Sequence, residues 1–230
     1  MSNSNNSNYF EIKNKIYDQN IRILRLLIKE QIRPNHLLPP KLRLPNKDKV
    51  NKIIEEINKF TSINNKVLSF ILRSYFTKGI SWWLPSYDVL EKICEITNGK
   101  TILELGAGLG LMSIFLSLLG SKIIAVDDSI SNNTDKSLLF FKVENITIQE
   151  SLEKYQTEVL LIVWPLFHGF SSNEIFEKFK GNIIILIGER NGGCTTDIYF
   201  PNNWKEIDHD IKVKNWDGIH DELFIYQKLE

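Results

Sequence analysis

Cysteine is scarce in this chain: Cys94 and Cys194 are the only two in 230 residues. That excludes a disulfide framework, and neither has the paired spacing of a thiolate metal site, so both are expected as free thiols in a reducing compartment. Long apolar runs are also missing. No stretch reaches the roughly 18 to 20 residues of a membrane span, and the opening Met1-Ser-Asn-Ser-Asn-Asn-Ser-Asn8 lacks the basic and apolar regions of a secretory signal. The expectation is a soluble cytoplasmic protein with no membrane partner. Histidine is sparse, with His36, His168, His209 and His220 standing singly; only His168 falls beside a candidate site. Neither a Ser-His-Asp order nor a phosphate-binding G-x-x-x-x-G-K loop occurs.

Net charge is absent as well, but the zero hides an asymmetry. Residues 1–80 hold 15 Lys plus Arg against 6 Asp plus Glu, a balance of +9, and the remainder is −9. Such polarity fits an arm that grips an anionic partner, nucleic acid included, or one that docks on its own acidic domain. The basic residues are scattered among apolar ones rather than clustered, which favours docking.

What the sequence does contain divides into three parts. Residues 1–8 read as a disordered polar tail. Residues 9–79 read as a basic helical extension, with helices over Tyr9 to Ile32, Asp48 to Phe60 and Asn64 to Phe76, and a proline-stiffened connector from Pro34 to Pro45. Residues 80–230 alternate strand and helix patterns. Strands are predicted at Thr101 to Leu105, Lys122 to Val126, Leu138 to Val143, Glu158 to Val163 and Asn182 to Ile187. Helices are predicted at Tyr87 to Thr97, Leu109 to Leu119, Ile148 to Tyr155 and Asn173 to Lys180. Two last strands, Glu206 to Trp216 and Asp221 to Lys228, would be joined near Asp217-Gly218 as a hairpin. The pattern predicts an α/β fold with a Rossmann-like, mostly parallel seven-stranded sheet and a terminal antiparallel hairpin.

The richest segment is Ile102-Leu-Glu-Leu-Gly-Ala-Gly-Leu-Gly110, followed by Ile123-Ile-Ala-Val-Asp-Asp128. Gly106, Gly108 and Gly110 allow a sharp turn and a close ligand approach between strand and helix. Asp127 follows Gly106 by 21 positions, near the roughly 20-residue offset at which an acid meets ribose hydroxyls. A dinucleotide site would carry Gly or Ala at the sixth position of G-x-G-x-x-G; that position is Leu111. The order Glu104-x-Gly-x-Gly-x-Gly110 instead resembles the first motif of class I S-adenosylmethionine-dependent methyltransferases. The resemblance implies S-adenosylmethionine as cofactor. It places Glu104 near the methionine amino group, Gly106, Ala107, Gly108 and Gly110 beneath the cofactor, and Asp127, with Asp128 as fallback, on the ribose.

In an open α/β sheet, ligands bind outside the carboxyl ends of the strands, so the loops after strands four and five are candidate walls. Trp164-Pro-Leu-Phe-His168 resembles the Asp/Asn-Pro-Pro-aromatic loop of amino-methyltransferases, but an indole only donates hydrogen bonds. Trp164, Pro165 and Phe167 are therefore expected as a shaped wall with Phe167 a stacking surface, against the alternative that the aromatics only cap the core. In Gly188-Glu-Arg-Asn-Gly-Gly-Cys-Thr-Thr-Asp197, Glu189 is the candidate general base or acceptor anchor, against an exposed charge or an ion pair with Arg190. Together with Ser81-Trp82-Trp83-Leu84-Pro85-Ser86, these motifs resemble a subgroup of methyltransferase-like proteins with SWxxP, ELGAGxG, WP and GExxGGCT segments. The match runs from about Ile80 to Trp204, departs at Trp83 and Leu166, and adds Trp82, Trp83 and Pro85 to the expected substrate pocket. The expectation is a methyltransferase with an unidentified methyl acceptor. Two alternatives stay open, a binding protein on the same fold without turnover and a nucleic-acid methyltransferase using the basic helices.

Overall fold

Val, Ile and Leu dominate five strands that run side by side and parallel: β1 Thr101–Leu105, β2 Lys122–Val126, β3 Val143–Glu144, β4 Val159–Val163 and β5 Ile183–Gly188. The computed structural model describes residues 17–32, 45–62, 64–130, 135–166, 172–190 and 193–229. The expected polar tail, most of the proline connector, Phe167 and His168 lie outside the described residues. Strand β7, Glu222–Lys228, pairs antiparallel with β5, and β6, Trp204–Glu206, pairs antiparallel with β7. The sheet order is β3-β2-β1-β4-β5-β7-β6. The chain reverses its direction of travel across the sheet at β1, whose neighbours are β2 and β4; that switch point is where open α/β sheets bind ligands.

Both faces are covered, as continuous apolar parallel strands require. Leu103, Leu105, Leu160 and Ile162 point to one face, under helices α6, Ile148–Lys154, and α7, Ser172–Lys178. Ile102, Leu161, Ile185 and Ile225 point to the other. There they meet α4, Tyr87–Thr97, and α5, Leu111–Leu118, together with the helices of the basic extension: α1, described over 17–32, α2, Lys47–Thr61, and α3, Lys66–Gly79. Asparagine starts two of these helices, Asn46 accepting from the Lys49 amide at 2.9 Å and Asn65 from Leu68 at 3.1 Å. The apolar stripe then faces inward, with Val50, Ile53, Ile57 and Phe76 at 0% exposure. Polar links fasten the seam: the Asn46 amide donates to Leu118 O at 2.8 Å, and Lys214 Nζ donates to Asn58 Oδ1 at 2.6 Å. Each basic helix thus buries one apolar stripe against the acidic domain, while Ile23, Leu26, Leu27, Val67 and Phe70 remain exposed.

Two expected strands differ. The predicted run Leu138 to Val143 pairs with β2 only at Val143 and Glu144. Asp135 caps a short 3-10 turn at Lys136–Leu138, and Phe140 is drawn beneath the glycine turn, its amide donating to Leu109 O at 2.8 Å. Arg25 and Lys29 of α1 lie over its ring at 5.8 and 5.9 Å. The predicted strand Glu206 to Trp216 ends at Glu206. Asp217-Gly218 does turn, with Gly218 at φ 76°, but the chain before it leaves the sheet because Trp216 packs edge-on against Phe76 at 5.5 Å.

Phe76 therefore joins the extension to the sheet-borne core. Phe76→Ala should cost about 3 to 5 kcal/mol of unfolding free energy, the usual range for emptying a buried aromatic site. Denaturant titration measures this; a loss under about 1 kcal/mol would show that α3 is only loosely attached.

Candidate functional site

The turn after β1 is shaped by three positive φ angles, 68° at Gly106, 54° at Gly108 and 78° at Gly110. The glycines answer different needs. A Cβ on Gly110 would come within 2.8 Å of Phe141 Cβ, so this residue is required by packing at the start of α5. A Cβ on Gly108 would meet nothing within 4 Å, because it would project into open space. That space is a cleft of two adjoining lobes of about 230 and 290 Å³, which share Gly106, Gly108, Ser129, Trp82 and Val163.

Glu104 lines the first lobe and is 2% exposed. On β1 it faces the same side as the glycine turn, and the Ser113 hydroxyl of α5 donates to it. Burial pushes its carboxyl up to about 8; the Ser113 bond opposes that rise, and the negative Asp127 adds to it. Ala107, also on this lobe, packs against Ala125 and Val143.

Asp127 lines the second lobe at the end of β2. Its Oδ2 accepts from the Gly108 amide at 2.7 Å, and its Oδ1 from the Ser129 amide and hydroxyl at 2.8 and 2.5 Å. Three donors leave one of the roughly four acceptor directions of a carboxylate unspent. Exposed Asp128 and the apolar Ile146 and Ile148 complete that lobe. An open glycine floor, a second-strand acid with spare capacity and an apolar wall fit a nucleoside-bearing cofactor.

Aromatic residues form the far wall. Trp164 sits at φ 55°, a backbone conformation unusual outside glycine. It is held there by its indole Nε1, which donates to both oxygens of Asp221 at 2.8 and 2.9 Å. Its ring stacks on Trp82, with centroids 5.2 Å apart and planes 18° apart. Trp82 is 40% exposed and borders both lobes. Asp221 is 2% exposed, and burial raises its carboxyl to about 6 despite the Trp164 bond, with Glu189 adding to the rise. Trp83 lies mostly in the core while touching the first lobe. Pro85 and Pro165 are buried and border neither lobe; Pro165 O accepts from the Thr196 amide at 2.9 Å.

The loop after β5 is closed upon itself. The Glu189 carboxylate accepts from the amides of Cys194 and of His220, the latter at 2.7 Å. Those bonds outweigh desolvation and hold its carboxyl below the usual range. A Cβ on Gly193 would fall 2.3 Å from Glu189 Cβ, and Thr195 bonds both the amide and carbonyl of Glu189. Glu189 lines neither lobe, and Arg190 pairs with Glu206 at 2.8 Å, so the expected alternative of a Glu189–Arg190 pair is replaced. The GExxGGCT segment has a structural account: a buried acid ties its loop to the residue preceding Asp221, which in turn orients Trp164.

Three contributors lie on α3, outside the motifs. Thr77 and Lys78 line the first lobe, and the Arg73 guanidinium lies 5.2 Å from the Trp164 ring and 5.9 Å from Trp82. Arg73 and Thr77 share a helical face, but cations on an amphipathic helix ordinarily signal a solvated side, so the sequence does not single them out. Asp221 likewise reads as a strand start.

No protein-family model and no curated protein matches the chain. Solved structures with a similar course include a putative methyltransferase, yhhF, from Escherichia coli, at 15% identity over 63% of this chain and 88% of that one, with a TM-score of 0.45. Another is the Burkholderia thailandensis 1,6-didemethyltoxoflavin-N1-methyltransferase with bound 1,6-didemethyltoxoflavin and S-adenosylhomocysteine, at 13% identity over 74% and 92%, with a TM-score of 0.46. A third is a putative RNA methyltransferase from Pyrococcus horikoshii, at 13% identity over 78% and 99%, with a TM-score of 0.46. At such values the chemistry of this cleft rests on its own geometry.

The raised Glu104 carboxyl has a consequence for stability. The folded state keeps a proton that the unfolded chain releases near 4.5, so this group's contribution falls as pH rises from 4.5 through about 8. Glu104→Gln, which keeps the acceptor for Ser113, should remove that loss. Its stability advantage over the parent should widen between pH 5 and pH 8 by on the order of a few kcal/mol. Denaturant titrations of both proteins across this range measure it, and parallel pH profiles would refute a buried, proton-holding Glu104.

Proposed function

We propose that the protein is an S-adenosylmethionine-dependent methyltransferase. The observation that carries this reading is the open glycine turn at the β1 switch point, set between the buried acid Glu104 and the second-strand acid Asp127. Asp127 would take ribose hydroxyls with its unspent acceptor capacity, Gly106 to Gly108 would lie beneath the cofactor, and Glu104 would face its ammonium. When bound, the cofactor supplies an electrophilic methyl group. The chain's part is then to align an acceptor in line, which requires positioning more than proton transfer. Val163, Trp164, Leu166 and Trp82 border the cleft on the side where an acceptor would stand.

Glu189 has its carboxylate occupied by two backbone amides, so we assign it a positioning role, acting on the acceptor wall through the His220–Asp221 segment. A second reading, a binding protein without turnover, draws on one observation: position 164 carries an indole, which donates to Asp221 and can accept no bond from a target N–H. Transfer of radiolabelled methyl to a cell-extract fraction, abolished by Asp127→Ala, would exclude the second reading.

Calorimetry with S-adenosylhomocysteine tests the cofactor assignment directly. Asp127→Ala should weaken binding by about 1.5 to 3 kcal/mol, as expected when hydrogen bonds to a charged group are lost. Gly108→Val should abolish binding, both by filling the floor of the cleft and by straining a turn held at φ 54°. A parent protein that shows neither heat nor thermal shift with this ligand at millimolar concentration would end the proposal.

A further inference from the structure

Arg73 is the charged member of a small set of described residues, with Ser86, His209 and Trp216, that bury a side-chain polar atom without a partner. Among the described residues its guanidinium has no hydrogen-bond or ion-pair partner, and its Nε is buried without one. A guanidinium carries five donors in a planar fork, and a buried unpaired donor costs free energy that folds rarely leave unrecovered. The cation is held instead against two stacked indoles. The Asp221 carboxylate lies near enough to feel its charge but gives both oxygens to Trp164 Nε1. One turn further along the same helical face, Thr77 and Lys78 border the cleft, and no ion pair occupies Lys78 among the described residues.

We propose that Arg73 and the exposed face of Trp82 form a recognition site for a planar aromatic acceptor bearing a carboxylate or similar oxyanion. The indole supplies a stacking surface, and the guanidinium fork, already oriented by the aromatic pair, supplies two parallel donors to the anion. Lys78 and Thr77 extend the positive, hydroxyl-bearing strip into the lobe that holds Glu104. The preorganisation comes from Asp221, which fixes Trp164 and hence Trp82. The basic extension in this view supplies substrate specificity as well as core. The inference rests on the methyl-transfer reading for the role of the site, though not for its chemistry.

Full-length protein titrated with benzoate, with its neutral analogue benzyl alcohol and with inorganic phosphate provides the test, alongside S-adenosylhomocysteine in the same samples. Benzoate should bind more tightly than benzyl alcohol or phosphate. Arg73→Met should weaken benzoate by roughly tenfold or more, as expected for loss of a charge-assisted pair, and Arg73→Lys should not restore it because an ammonium lacks the fork. Affinity for S-adenosylhomocysteine should stay within about twofold of the parent in both variants, as expected of a residue that touches the acceptor alone. Benzoate binding no better than benzyl alcohol, or equally to parent and variants, would overturn the proposal. So would a single-stranded oligonucleotide whose binding depends on Arg73 while benzoate does not bind. Arg73-dependent benzoate binding in a protein that ignores S-adenosylhomocysteine would keep the anion site and remove the cofactor assignment, so the two failures are distinguishable.

Discussion

A parallel sheet must be covered on both faces, and in this protein the second cover comes from outside the alternating βα segment. Two short helices, α6 and α7, suffice for the face bearing Leu103 and Ile162. The face bearing Ile102, Leu161 and Ile185 is wider in demand, and α4 and α5 share it with the basic extension. Burial of Ile53, Ile57, Leu72 and Phe76 therefore does two things at once: it removes apolar surface from water on both partners and fixes the azimuth of α3. The azimuth decides the chemistry at the cleft. With Leu72 and Phe76 in the core, Thr77 lines the first lobe of the cleft and the Arg73 guanidinium lies beside the Trp82 and Trp164 rings at its wall.

Glu104, Glu189 and Asp221 are all buried, and each is accommodated differently. Glu104 is bonded by Ser113 alone, too little to offset its full burial and the nearby Asp127 charge, so its carboxyl is raised to about 8. Glu189 receives two backbone amides, enough to keep it ionised within a closed loop. Asp221 stands between these limits, with a doubly placed indole donor against burial and the neighbouring negative Glu189. The direction of each shift follows from the balance of burial, bonded donors and neighbouring charge, not from the residue type.

Local rules made β1, β2, α4 and the glycine turn legible, because apolar runs of four to six residues bounded by glycine or polar caps have few competing structures. Tyr87–Thr97, Thr101–Leu105 and Lys122–Val126 coincide with the predicted bounds. What the sequence could not convey are outcomes of long-range competition. The Leu138 to Val143 run has strand composition, yet Phe140 is better buried under the glycine turn and α1 than in a ladder with β2. The segment after Glu206 has strand composition too, but Trp216 finds Phe76 across the fold. Among the site residues, Glu104 and Asp127 carry recognisable spacing to the glycines. Arg73 and Asp221 do not, since their significance arises only when α3, β4 and the residue before β7 meet around Trp164.

The same meeting gives Trp164 its role as a structural corner of the wall. With the backbone at φ 55°, its indole turns its only donor inward to Asp221 and stacks its ring on Trp82, with the Arg73 guanidinium alongside. Strain of order 1 to 3 kcal/mol at such a backbone conformation persists only where surrounding contacts over-determine it. Here they do: the Trp164 amide donates to Ile187 O at 2.8 Å, the indole is bonded to a fully buried carboxylate, and the ring is stacked. A wall so constrained presents a fixed aromatic surface to the cleft.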